Sequence, residues 1–195
     1  MNSNVLEYLA NGPVIPAARS MEDFKVALSH TVSPSIVLLF GDINILPSLI
    51  TQAKKHKKHI VLHLDLFNGI AKDKAGIKYL AHSGIHAIIT TKPHLCRFAR
   101  EEGMIVIQRL FLMDSASLCT GLHLVHNFKP DVIEILPGSV PASVVQELVE
   151  QTGLPILAGG LIRTKEDVDH AIKSGISAVS TSRSDLWDDI MISKM

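Results

Sequence analysis

Cysteine is nearly absent from this chain of 195 residues: the two present, Cys96 and Cys119, lie far apart and outside any C-x-x-C spacing. That excludes a disulfide framework or a thiolate metal cluster and points to a reduced, cytosolic setting. No apolar stretch approaches the roughly 18 residues a membrane span needs, so no membrane partner is expected. Met1 to Asn11 lacks the basic-then-apolar order of a signal peptide. Charge of either sign is not in excess, because 19 Lys and Arg balance 19 Asp and Glu to a formal net charge of zero. The molecule as a whole therefore offers no field for a polyanion, and any nucleic-acid contact needs a local patch. Pro/Ser-rich linkers and low-complexity tracts are also missing. With 47% hydrophobic and 19% charged residues, the expectation is one globular domain spanning residues 1–195.

What is present is a recurrence. Short Val/Ile/Leu-rich runs end on Arg19, Asp42, Asp65, Lys92, Arg109 and Glu134, and the series closes with Gly159-Gly160 and Ser180-Thr181-Ser182. Successive members lie roughly 17 to 27 residues apart, close to one strand-plus-helix unit. The runs Val14–Arg19, Ile36–Asp42, Ile60–Leu66, Ala87–Lys92, Ile105–Phe111, Val132–Leu136, Ile156–Gly160 and Ala178–Ser182 read as buried parallel strands.

Helical patterns alternate with these runs. Ile45, Leu46, Leu49, Ile50 and Ala53 form one apolar stripe, and Val144, Val145, Leu148 and Val149 another. Ser20 with Asp23 and Thr164 with Asp167 have capping-box spacing. Pro93 and Pro141 suit first helical turns, and Gly84, Gly103, Gly153 and Gly175 suit helix ends. Eight such units in a chain this short favour an α/β fold of the (β/α)8 TIM-barrel-like type over an open doubly wound sheet.

In a barrel the strand ends meet at one mouth, so the recurring charges and the closing turns become one candidate ligand site. Alternation places His63 and Asp65 on one face, opposite Leu62, Leu64 and Leu66 on the helix-packing side. Thr90 and Lys92 are expected to share a face, as are Leu38, Phe40 and Asp42. A ring of internal salt bridges plugging the mouth is the alternative to a pocket. Gly159-Gly160 followed one unit later by Ser180-Thr181-Ser182 favours a phosphate, held by backbone N–H groups and hydroxyls after strands 7 and 8. A phosphorylated polyol or sugar would then set its hydroxyls near Asp65, Lys92, Arg109 and Glu134.

Catalysis is a second reading of the same scaffold. Glu134 or Asp65 as base and Lys92 as electrophile would suit an isomerase or aldolase. No nucleophile motif requires chemistry, so no catalytic residue is assigned. His59/His63 and His123/His126 lack a third ligand, and no metal or cofactor is assigned either. The one dense basic cluster, Lys54-Lys55-His56-Lys57-Lys58-His59, is a solvated helix end or an RNA-phosphate contact through Lys54, Lys55, Lys57 and Lys58. Phe98 and Trp187 could stack on bases but fit the buried sides of helices, and Cys96 and Cys119 read as small apolar helix residues.

These motifs together resemble the glycerol-3-phosphate-responsive antiterminators, the regulators of glycerol uptake operons. The resemblance runs from Gly12-Pro13-Val14-Ile15-Pro16-Ala17 to Leu186-Trp187. It is carried by Leu38-Leu39-Phe40-Gly41-Asp42-Ile43, His63-Leu64-Asp65-Leu66, Thr90-Thr91-Lys92-Pro93 and Gln108-Arg109-Leu110-Phe111-Leu112-Met113-Asp114-Ser115. Glu134-Ile135-Leu136-Pro137-Gly138, Ala158-Gly159-Gly160-Leu161-Ile162 and Ser180-Thr181-Ser182 complete it. The resemblance implies a barrel-like, non-enzymatic regulator whose effector is glycerol 3-phosphate and whose partner is the leader of glycerol-utilisation messenger RNA. There it would prevent transcription termination. The oligomeric state, a homo-oligomer included, stays open.

Overall fold

The computed structural model describes residues 3–187. Eight parallel strands pair in sequence order, and β1 closes on β8 to complete a barrel. The strands are β1 (Val14–Ala18), β2 (Ser35–Leu38), β3 (His59–His63), β4 (Ala87–Thr90), β5 (Ile105–Phe111), β6 (Val132–Leu136), β7 (Ile156–Gly159) and β8 (Ala178–Thr181). Helices α2 (Met21–His30), α3 (Leu46–Lys55), α4 (Lys74–Ser83), α5 (Pro93–Glu101), α6 (Ser115–Phe128), α7 (Ala142–Thr152) and α8 (Lys165–Lys173) fill the crossovers. Helix α1 (Ser3–Leu9) precedes the first strand.

Two apolar layers hold this arrangement. Ile15, Ala17, Val37, Val61, Ala87, Ile89, Ile107, Val132, Leu157 and Ala178 form a cluster within the ring of strands. Leu9 of α1, fully buried, joins that cluster from the N-terminal ends of the strands and stoppers the barrel there. The alternate residues, among them Ile36, Leu38, Leu62, Ile88, Val106, Ile133 and Val179, pack outward against the helices. Removing both faces from water is what lets strands of four or five residues hold their register.

The strand register and the strand ends bear on three of the face assignments. Leu38 lies in the outer layer, and Phe40 packs against it. Strand β2 stops at Leu38, and Gly41 at φ +110° breaks the alternation before Asp42, which pairs with Asn68 in an isolated bridge. Ile88 is outer and Ile89 inner, so Thr90 stands on the helix side of β4, and Lys92 lies past the strand as the N-cap of α5. Strand β3 ends at His63, and Leu64–Leu66 turn into a short 3-10 segment. That turn leaves Leu64 in the outer layer and Leu66 47% exposed instead of packed.

Local signals act largely as expected. Thr164 and Asp167 form a reciprocal capping box on α8, and Gly84 and Gly153 end α4 and α7 in the left-handed region. Ser20 caps α2, while the Asp23 carboxylate accepts from the Arg19 N–H at 2.8 Å. Pro141 precedes α7 as its N-cap and so sits one residue before the first turn. Trp187 is buried outside any α-helix, its Nε1 donating to the Thr181 carbonyl at 2.8 Å. Cys96 is buried on α5, its thiol pushed up to about 12 by burial, whereas Cys119 on α6 is exposed. The capping box admits a direct check. Thr164→Ala should lower stability by about 1 kcal/mol, read as a fall in Tm of roughly 2–4 °C.

Among the described residues no helix is long and apolar enough to cross a membrane.

Candidate functional site

The mouth is built by the inward positions at the C-terminal ends of the strands. Apolar residues fill the barrel below, and the topmost inward layer turns polar with His63 on β3, Arg109 on β5, Glu134 on β6 and Ser180 on β8. Arg109 and Glu134 are register partners on adjacent strands. Arg109 Nε donates to Glu134 Oε2 at 2.6 Å, and the two side chains are 12% and 0% exposed. Ser180 Oγ donates to the other carboxylate oxygen at 2.7 Å. Both Glu134 oxygens are thus engaged, and the carboxylate holds an arginine and a hydroxyl at the edge of the hollow above it.

That hollow has a volume of about 270 Å³ and is bordered by seven of the residues the sequence singled out: Arg19, Arg109, Gly159, Gly160, Ser180, Thr181 and Ser182. Leu39, Leu66, Leu136, Leu161 and Ile162 supply apolar wall. Arg163 and Arg183 also border it and were missed. Each follows a closing turn by a residue or more, so a search for charges at strand ends passes over both. Four arginines and no carboxylate therefore face the hollow among its lining residues.

The local contacts set its shape. Arg19 Nε donates to Ser182 Oγ at 3.2 Å, tying the first strand's loop to the last. Arg183 is held by Asp185 through bonds of 2.9 and 2.7 Å. Arg163 follows the Gly159-Gly160 turn after Leu161 and Ile162, and its backbone N–H donates to Asp167 at 2.8 Å. Gly160 has φ +69°, a backbone few side chains accept, and its carbonyl accepts from the Gly138 N–H at 3.1 Å. At Gly159 an added Cβ would lie 3.1 Å from both Glu134 Oε1 and Ser180 Oγ. Glycine there lets the loop come down onto that pair.

Four predicted residues stand elsewhere. Asp42 accepts from the Asn44 N–H at 2.8 Å and shapes its own turn. Asp65 accepts from the Thr90 hydroxyl at 2.9 Å, the Thr91 N–H at 2.6 Å and the Thr91 hydroxyl at 2.9 Å. Burial alone would raise the Asp65 carboxyl, but the Thr91 and Thr90 bonds outweigh it and hold it below the usual range. Its role is to pin the β3 turn to β4. Lys92 is exposed at the start of α5. Glu134 lies beneath the hollow instead of in its wall. Neither the open pocket nor the plug describes the mouth by itself, since one internal ion pair forms the base on which an arginine-lined hollow sits.

His63 is the other residue beneath the mouth. It is 2% exposed, and neither ring nitrogen has a hydrogen-bond partner. Burial, helped by the nearby Arg109 charge, pushes it down to about 4, against smaller upward pulls from Glu134 and Asp65. The ring is neutral at pH 7, so one nitrogen is a donor and the other an acceptor. Linkage gives the sign of the pH effect. The unfolded chain binds a proton near pH 6.5 and the folded chain only near 4, so stability falls as pH drops through that window. Urea unfolding at pH 7 and 4.5 should differ by about 2–3 kcal/mol, and His63→Leu should remove most of that difference.

The basic cluster lies at the opposite end of the barrel, where α3 hands over to β3. Lys54, Lys55 and Lys57 are exposed. Lys58 Nζ turns inward to the Thr31 carbonyl at 2.7 Å and the Ser33 carbonyl at 2.6 Å. No group of three or more His, Cys, Asp or Glu able to hold a metal ion occurs among the described residues. His123 of the α6 pair contacts Asn127 at 2.9 Å.

The sequence and the barrel fold are both similar to those of known proteins. A family model described as glycerol-3-phosphate responsive antiterminator matches residues 14–187. The chain is 35% identical to the glycerol uptake operon antiterminator regulatory protein of Listeria monocytogenes str. 4b F2365, with a TM-score of 0.86 over 92% of this chain and 97% of that one. A glycerol uptake operon antiterminator-related protein of Thermotoga maritima MSB8 is 28% identical, with a TM-score of 0.81 over 90% and 98% of the two chains. The uncharacterized protein YgcP of Escherichia coli (strain K12) is 33% identical over 184 residues, 94% of this chain and 95% of that protein.

Proposed function

The chain belongs to the glycerol-3-phosphate responsive antiterminator family, and on that footing we propose that its barrel mouth binds glycerol 3-phosphate and that its output is leader-RNA binding. One observation carries the effector reading. Arg19, Arg109, Arg163 and Arg183, two glycine-turn residues and a hydroxyl run converge on one small hollow with no carboxylate in its wall among the described residues. Arginine forks and backbone N–H groups complement the three oxygens of a phosphate monoester. The hollow suits a small metabolite and is too small for a dinucleotide. The glycerol hydroxyls would turn downward, toward Ser180 and the unpartnered ring of His63.

Antitermination then follows from differential affinity. Glycerol 3-phosphate bridging the loops after β1, β7 and β8 favours one arrangement of them, and RNA affinity rises by as much as the ligand prefers that arrangement. The catalytic reading asks Lys92 and Glu134 to act on one substrate. Lys92 lies exposed at the start of α5, not in the desolvated setting an imine-forming lysine uses. Glu134 has both oxygens occupied. The geometry therefore favours binding over turnover.

The test is a titration of the RNA leader of a glycerol-utilisation operon, with and without glycerol 3-phosphate, across salt concentrations. An effector-dependent rise in affinity supports the reading. RNA affinity that responds to neither ligand nor salt overturns it.

A further inference from the structure

A second cavity, of about 460 Å³, opens at the N-terminal ends of β3 and β4, opposite the mouth. Tyr8 of α1, Lys54 and Lys57 after the α3 stripe, His59 at the start of β3, and Gly84 and His86 before β4 surround it. Ile50, Ala53 and Ile60 supply apolar wall. Among the described residues no carboxylate lines it; Glu7 borders a separate hollow that shares Tyr8 with it.

Two features give the cavity a chemistry. The Tyr8 and His59 rings stack, with centroids 4.0 Å apart and planes at 19°. Burial, and then the neighbouring His86, hold His59 below the ordinary histidine value, so its ring meets Tyr8 as a neutral aromatic. The second feature is free cationic charge. An added Cβ on Gly84 would lie 3.3 Å from Lys54 Nζ, so the Lys54 ammonium reaches across the hollow toward that glycine. Lys57 stands at φ 56° and is exposed at the tip of the same turn. Lys58 borders the cavity too, but its ammonium is committed to Thr31 and Ser33. Aromatic surface beside lysines without acidic neighbours is how single-stranded nucleic acid is held without a broad basic face. A balanced net charge therefore poses no obstacle.

We propose that this cavity is a single-stranded ribonucleotide site, seating one unstacked base against the Tyr8–His59 pair and its phosphodiester between Lys54 and Lys57. The partner rests on the antiterminator reading; the site itself rests on the cavity. Input and output would then lie at opposite ends of one barrel. The coupling between them would run through the strands, with no shared contact, and effector and RNA would not compete for space.

Fluorescence anisotropy with a labelled, mixed-sequence single-stranded RNA 12-mer tests the site on the full chain. The double variant Lys54→Gln/Lys57→Asn, with Asn chosen because it accepts the left-handed backbone at 57, should bind roughly tenfold more weakly. Its log-affinity against log-salt slope should also be shallower by about 0.7, the value for one neutralised phosphate on a single strand. His59→Gln should weaken binding by roughly tenfold with the salt slope unchanged. Tyr8→Phe should bind like the parent. Unlabelled UMP should compete, and glycerol 3-phosphate should not.

Unchanged affinity and slope in the lysine double variant would overturn the site while leaving the antiterminator reading intact. A cavity that takes inorganic phosphate or UMP but no RNA would also overturn it, making it a small-ligand site. Absence of RNA binding by the parent at every salt concentration, with and without glycerol 3-phosphate, would overturn both. Because the lysines are exposed, loss of folding does not confound the double variant.

Discussion

Arg109→Met should lower stability by about 3–5 kcal/mol and abolish glycerol 3-phosphate binding. The arginine is the only charge paired with Glu134 among the described residues, and that carboxylate is fully buried. Removing one partner of a buried pair leaves the other charge desolvated and uncompensated, the costly half of the asymmetry. For a chain of this size the loss corresponds to a Tm lower by roughly 6–20 °C. Charge removal from both sides separates the two effects. Arg109→Met/Glu134→Gln leaves no stranded charge, and its glutamine oxygen still accepts from Ser180. That double variant should regain most of the stability and none of the effector binding. A melting temperature unmoved in the single variant would show that water reaches Glu134. Binding retained in the double would remove Arg109 from the effector site. Calorimetry and thermal melts on the same samples decide both.

Gly160→Asp should reduce glycerol 3-phosphate affinity by roughly a hundredfold or more while leaving the fold in place. Aspartate is among the few residues that enter the left-handed region at modest cost, which φ +69° requires. Space is available, because the nearest atoms to an added Cβ are Leu136 Cδ2 at 3.6 Å and Leu136 Cγ at 3.7 Å. The new carboxylate would sit beside the oxygens of the phosphate. Two unit charges 4 Å apart near a protein surface repel by about 4 kcal/mol. Gly160→Ala carries the same backbone change without the charge and should stay within a few-fold of the parent. Equal losses in the two variants would assign the effect to backbone strain. Unchanged affinity in Gly160→Asp would place the phosphate elsewhere.

The mouth was legible to different degrees at different strands. Arg109 and the two closing turns sit where a strand-end count puts them, because β5, β7 and β8 run straight to the positions the apolar pattern marks. Asp42 and Asp65 do not. Their strands stop at Leu38 and His63, and the remaining residues belong to turns whose direction the pattern does not encode. Arg163 and Arg183 lie past the turns, on backbone that folds back over the barrel. His63 carried the right face but no sign of its solitude, since an imidazole without partners becomes visible only when its neighbours are in place. The stopper helix α1 carries none of the stripes and caps that marked the other helices.

The sequence by itself determined the number of strand–helix units, their order, the caps and breaks between them, and the end of each strand where ligand chemistry belongs. Those are local properties, written in period, capping and turn residues within a few positions of one another. Only the tertiary structure decided which face of each strand looks inward. In a barrel packed with apolar side chains on both sides, alternation has a period but no label, so Thr90 and Lys92 could be read either way. It also decided which charges meet. Glu134 reaches Arg109 across 25 positions and Ser180 across 46. Only the registers of β5 on β6, β6 on β7 and β7 on β8 bring those three side chains together beneath one hollow.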